Sequence, residues 1–118
     1  MSESANAVET IAAISTPPGR GGIGIVRLSG PRAVEIAGDL VALRGPMEHA
    51  RARLADVLDE SEASGRIDEA MVTFFAAPNS YTGEDLVEIA AHGSPVVLEL
   101  LLRGALESGA RLAEPGEF

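Results

Sequence analysis

Apolar residues recur in two rhythms along this chain, and the rhythm changes several times. Thr10 to Thr16 (TIAAIST) has the length and β-branched character of a strand, and Pro17-Pro18-Gly19 stops it, because proline donates nothing to a ladder. Ile23 to Gly30 (IGIVRLSG) partly alternates, with Ile23, Ile25 and Arg27 on one face of a second strand. Ser29-Gly30-Pro31 then opens a helix, with Pro near its first turn and a small capping residue before it. Val34, Ile36, Ala37, Leu40 and Val41 follow at helical spacing, which predicts one amphipathic helix over Pro31 to Leu43.

Gly45 to Ala50 reads as a loop, and Arg51 to Leu58 as a weakly alternating edge strand. Asp59 to Arg66 is an acidic, solvated turn. Ala70 to Ala76 and Leu86 to Ala91 are strands, separated by the turn residues Pro78-Asn79-Ser80 and Thr82-Gly83. Ser94 and Pro95 open a second helix, whose apolar stripe is Val96, Val97, Leu100, Leu101 and Leu106 and whose C-terminal stop is Gly109. Ala110 to Ala113 reads as a last short strand, and Met1 to Val8 as a frayed end. The predicted order is β-β-α-β-β-β-α-β. Strands adjoin strands, so the expected class is α+β, a single domain over 1–118 with a mixed or antiparallel sheet and two helices.

Composition narrows the chemistry. The chain has 118 residues and no Cys, which removes disulfides, thiolate nucleophiles and cysteine-ligated metals together. The net charge is -9 and every basic residue is Arg, so the chain lacks the basic footprint of a nucleic-acid binder and is not expected to hold tRNA alone. The longest apolar stretch, VVLELLLRGAL, is interrupted by Glu99 and Arg103 and is too short to span a bilayer. No secretory-type start is present, so a cytoplasmic location is expected.

Gly19-Arg20-Gly21-Gly22-Ile23-Gly24 matches G-x-G-x-x-G literally, but a dinucleotide fingerprint needs its glycines to open a helix, and here they lead into a strand. A phosphate loop of the G-K-[ST] type is excluded because the chain has no Lys. The glycines serve either a tight structural turn or close approach of a flat ligand to the backbone. His49 and His92 are far apart and do not specify a metal site; His92 beside a helix start reads as a capping or packing ring. No G-x-S-x-G elbow is present, and Glu84-Asp85 reads as a solvated turn.

Arg27 and Glu88 stand out, because each is a charge inside an apolar strand. They form either an internal ion pair or a pair of ligand contacts. A carboxylate accepts two parallel hydrogen bonds from an amino-pyrimidinone edge, and a guanidinium meets carbonyl or carboxylate oxygens. Aromatic candidates for stacking on such a ligand are few: Phe74, Phe75, Tyr81 and Phe118.

Three stretches carry a resemblance. TIAAISTPPGRGGIGIVRLSGPRA, FFAAPNSYTGEDLVEIAAHGSPVVLELLLRGAL and RLAEPGEF resemble the N-terminal domain of the MnmE/TrmE family of tRNA-modification GTPases. The family pattern is T-PPGRGG-G--R-SG, P-S-TGED--E---HGG and R-A-PGEF, with Ser94 standing where a second Gly is common. The match runs from Glu9 to Phe118 apart from the middle, Val41 to Ile67. The resemblance implies a folate-binding fold like that of the glycine-cleavage aminomethyltransferases. It implies binding of 5-formyl- or 5,10-methylene-tetrahydrofolate, with Arg27 and Glu88 as contacts. The family's third contact, a Lys some residues beyond PGEF, has no counterpart before Phe118. The resemblance also implies homodimerisation through this domain, and a full protein that works with the flavoprotein MnmG, which uses FAD and NADH. Together they place a carboxymethylaminomethyl-type group on C5 of wobble uridine in tRNA. GTP, potassium and magnesium serve the family's separate GTPase domain, so the chain is expected to be a fragment that does not hydrolyse GTP or catalyse by itself. The rival expectation is a purely structural dimerisation domain without ligand.

Overall fold

The computed structural model describes residues 9–15, 23–58, 66–92 and 95–118. Among these, the strands are β1 (Ile11–Ser15), β2 (Ile23–Ser29), β3 (Val41–Leu43), β4 (Arg51–Leu58), β5 (Arg66–Phe75), β6 (Leu86–His92) and β7 (Arg111–Leu112). The helices are α1 (Ala33–Leu40) and α2 (Pro95–Glu107). All the strands join one mixed sheet in the order β3-β4-β5-β6-β2-β1-β7. Every neighbouring pair is antiparallel except β1 with β7.

The period-2 pattern decides the faces. In β2, Val26 and Leu28 are fully buried, whereas Ile25 and Arg27, which alternate with them, are half-buried. In β6 the buried residues are Val87, Ile89 and Ala91, and Glu88 and Ala90 alternate with them. The buried set packs with Ile36 and Leu40 of α1 and with Leu98 and Leu101 of α2 in one cluster. Both helices therefore cover the same face of the sheet. Each large aliphatic side chain buried there contributes about 1.5–3 kcal/mol relative to leaving it in water.

Several sequence expectations need correction. The first helix was expected to run from Pro31 to Leu43, but α1 starts at Ala33 and stops at Leu40. Val41 already has extended dihedrals, φ -138° and ψ 152°, and pairs with Val57 of β4. Its burial against β4 outweighs the helical spacing of the apolar residues. The observed order is thus β-β-α-β-β-β-β-α-β, and β3 makes β4 an interior strand rather than an edge. The second correction concerns the start of α1. Arg32 is its cap residue and makes no side-chain cap; instead the Arg32 amide donates to Oγ1 of Thr10 at 2.9 Å. The strand expected at Ala70–Ala76 extends back to Arg66, and the last short strand is confined to Arg111–Leu112. Met1–Val8, the glycine loop 16–22, most of the acidic turn at 59–65, the cap at Ser94 and the ring of His92 lie outside the described residues.

Candidate functional site

The face of the sheet opposite the helices carries the chemistry. Register sets Ala13 of β1, Arg27 of β2, Glu88 of β6 and Thr73 of β5 in one cross-strand row. The next row holds Ser15, Ile25, Ala90, Met71 and Leu54. Directly opposed residues on adjacent strands approach closely enough for their side chains to meet. Nε of Arg27 donates to Oε2 of Glu88 at 2.8 Å, and Nη1 donates to Oγ of Ser15 at 3.3 Å.

This pair lies between a buried and a surface ion pair, with side-chain exposures of 27% for Arg27 and 24% for Glu88. At that exposure the pair contributes roughly 0–1 kcal/mol, so exchanging it for equivalent contacts to a ligand costs little. The two side chains line a cleft of about 570 Å³ with Phe75, Asn79, Ser80, Tyr81 and Leu86. That volume falls within the range of small-molecule sites, roughly 300–1,000 Å³. The cleft joins a guanidinium and a carboxylate to apolar surface from Phe75 and Leu86. Such a donor set fits a flat heterocycle with a polar edge.

The turn after β5 forms the rim of the cleft. Tyr81 is 70% exposed, and its ring centroid lies 5.8 Å from Cζ of Arg27, within cation–π range. The turn is tied down at several points. The fully buried Ser29 Oγ lies 2.7 Å from Oγ1 of Thr82 and donates to Oε1 of Glu84 at 3.0 Å. The Ala77 amide donates to Oδ1 of Asp85 at 2.9 Å, and the Gly30 amide donates to the Asp85 carbonyl at 2.9 Å. Glu84-Asp85, expected to be a solvated turn, is therefore a bracket between the end of β2 and the rim. This bracket was missed because nothing in the spacing of Ser29 and Thr82 marks them as neighbours.

His49 does not line the cleft. Nδ1 of His49 accepts the Ala76 amide at 2.9 Å, and the ring meets Phe75 edge-on with centroids 6.3 Å apart. Among the described residues no group of three or more His, Cys, Asp or Glu is placed to hold a metal, and no helix is long and apolar enough to cross a membrane. Elsewhere the open face carries Arg44, which bonds Asp56 and Glu69 at 2.6 Å each; the two carboxylates raise its pKa. At the β1–β7 edge, Arg111 bonds Glu9 at 2.6 Å and pairs with Glu117. Arg111 holds the Glu117 carboxyl below its ordinary value, helped by the Glu114 amide.

Residues 10–118 match the family model described as GTP-binding protein TrmE N-terminus. The chain is 49% identical over 116 residues to the tRNA modification GTPase MnmE of Koribacter versatilis, a match covering 96% of this chain and 25% of the relative. It is 50% identical over 112 residues to that of Legionella pneumophila strain Paris, with 94% and 24% covered. It is 51% identical over 112 residues to that of Neisseria gonorrhoeae strain NCCP11945, again with 94% and 24% covered. The chain thus spans about a quarter of the length of these curated relatives.

Proposed function

This chain belongs to the TrmE N-terminal family, and from that premise we propose that it is the tetrahydrofolate-binding and dimerisation module of a tRNA-modification GTPase. The observation that carries the reading is the Arg27–Glu88 pair, half-buried on the open sheet face and lining a cleft of ligand size. In this reading Glu88 accepts the amino-pyrimidinone edge of a 5-formyl- or 5,10-methylene-tetrahydrofolate, and Arg27 meets its carbonyl or carboxylate oxygens. The folate supplies a one-carbon unit when bound. The chain's own residues bind and orient it, contributing proximity rather than a nucleophile. The proposed fold relationship is to the folate-binding aminomethyltransferases.

The same open face supports dimerisation. Leu54 and Met71 are 45% and 40% exposed in a row with Ile25 and Ala90, an apolar strip suited to a second copy. In the whole protein the module would work with the MnmG flavoprotein on wobble uridine of tRNA in the cytoplasm. GTP, potassium and magnesium would belong to a separate GTPase domain.

Calorimetric titration with 5-formyl-tetrahydrofolate tests the binding. Saturable binding that Arg27→Ala and Glu88→Ala each abolish is expected. Unchanged binding in both variants removes the assignment. Sedimentation tests the pairing, and a dimer with no folate response favours the purely structural alternative.

A further inference from the structure

We propose that Tyr81 forms the aromatic wall of this cleft, and that the Ser29–Thr82–Glu84 cluster is a positioning device that holds the ring in place. The inference rests on the folate reading above and adds to it the group that recognises the flat face of the ligand. Arg27 and Glu88 are suited to read a polar edge. Edge contacts alone leave the two faces of the planar amino-pyrimidinone ring unsatisfied. Tyr81 is the chain's one tyrosine, and the chain has no tryptophan. Its ring borders the cleft and remains 70% exposed. Phe75, the other aromatic lining residue, already has its ring against His49.

An exposed tyrosine on an unanchored loop would lose side-chain and backbone freedom on stacking, and that loss would offset the contact. Here the neighbouring backbone is already fixed. Ser29 is fully buried at the end of β2, two residues from Arg27, and its hydroxyl meets both Thr82 and Glu84. Oγ of Ser80 donates to the Glu84 carbonyl, closing the turn on the other side of Tyr81. The strand that presents Arg27 therefore also sets the rim that presents Tyr81, and the two recognition elements share one rigid frame.

The test uses the 118-residue chain with its tyrosine ring isotopically labelled, so that one ring reports by NMR, titrated with 5-formyl-tetrahydrofolate. Ring resonances that shift saturably are expected, with affinity falling roughly tenfold in Tyr81→Ala and changing less than about threefold in Tyr81→Phe. Thr82→Val weakens binding by about threefold to tenfold while Thr82→Ser restores it, with the amide spectrum of the sheet unchanged in both. If Arg27→Ala abolishes binding but Tyr81→Ala binds like the parent, the aromatic-wall assignment is wrong and the folate reading stands. If Thr82→Val leaves the affinity and the ring shift unchanged, the positioning role is wrong. If no resonance moves saturably in the parent chain, both readings fall together.

Discussion

Replacing Gly30 with alanine should damage this domain far more than its position at a strand end suggests. Gly30 has φ +142°, a conformation L side chains rarely adopt. A Cβ there would lie 2.5 Å from Cα of Thr10 and 2.8 Å from the Glu9 carbonyl oxygen. Both are backbone atoms that cannot swing aside, and Thr10 leads directly into β1. The sparsely populated dihedral costs about 1–3 kcal/mol, and forcing an extra carbon into a packed site costs a further ~1–3 kcal/mol. The expected loss is therefore roughly 4 kcal/mol, a large share of a net stability of ~5–15 kcal/mol. With about 2.1 cal/mol/K per residue of unfolding entropy, 118 residues give about 250 cal/mol/K, and Tm falls by roughly 16 °C. Gly38 in α1 is the matched control, since an added Cβ there meets nothing within 4 Å. Gly38→Ala should stabilise by about 0.5–1 kcal/mol through helix propensity. Urea and thermal unfolding followed by circular dichroism measure both. A Gly30→Ala chain that unfolds within about 0.5 kcal/mol of the parent, in the range of ordinary surface changes, refutes the steric argument.

Ser29→Ala should cost about 1–3 kcal/mol, because Thr82 and Glu84 lose a buried partner; a urea midpoint equal to the parent's would show that water replaces the hydroxyl without loss. Arg27→Ala and Glu88→Ala should each change unfolding stability by less than about 1 kcal/mol while abolishing folate binding; a large loss of stability in either would mark the pair as structural instead. The Glu117 carboxyl is held below its ordinary value of 4.5 by Arg111. Its contribution to stability is therefore present above the unfolded value and lost as pH falls through the lower folded one. Glu117→Gln should flatten the acid limb of a plot of unfolding midpoint against pH, and an acid limb identical to the parent's would exclude the contact.

Much of the scaffold is legible in the spacing of apolar residues, because the covered face of β2 and β6 is a strict alternation of Val26 and Leu28, and of Val87, Ile89 and Ala91. That alternation also places Arg27 and Glu88 on the opposite face. What spacing does not contain is register, the quantity that sets them directly across from each other. Val41 illustrates the reverse case. Its position continues a helical stripe, yet pairing with Val57 draws it into β3; a three-residue strand is decided by its neighbour, not by its own period. The bracket of Ser29, Thr82 and Glu84 joins residues more than fifty positions apart, and each alone reads as ordinary turn or strand-end chemistry.

The strand order has a kinetic side. β3, β4, β5 and β6 are consecutive in chain and in space, so that half of the sheet grows by pairing each strand with the next. β2 is different: it must close against β6, and Arg27 and Glu88 are 61 residues apart. Such distant pairings carry the larger loop-closure entropy and raise the contact order. A chain in which only the β3–β6 meander has formed has Glu88 on an edge strand and no guanidinium opposite it. The cleft is therefore completed only by a long-range strand pairing, that of β2 with β6, so any ligand that needs both charges selects molecules in which this part of the sheet is already closed.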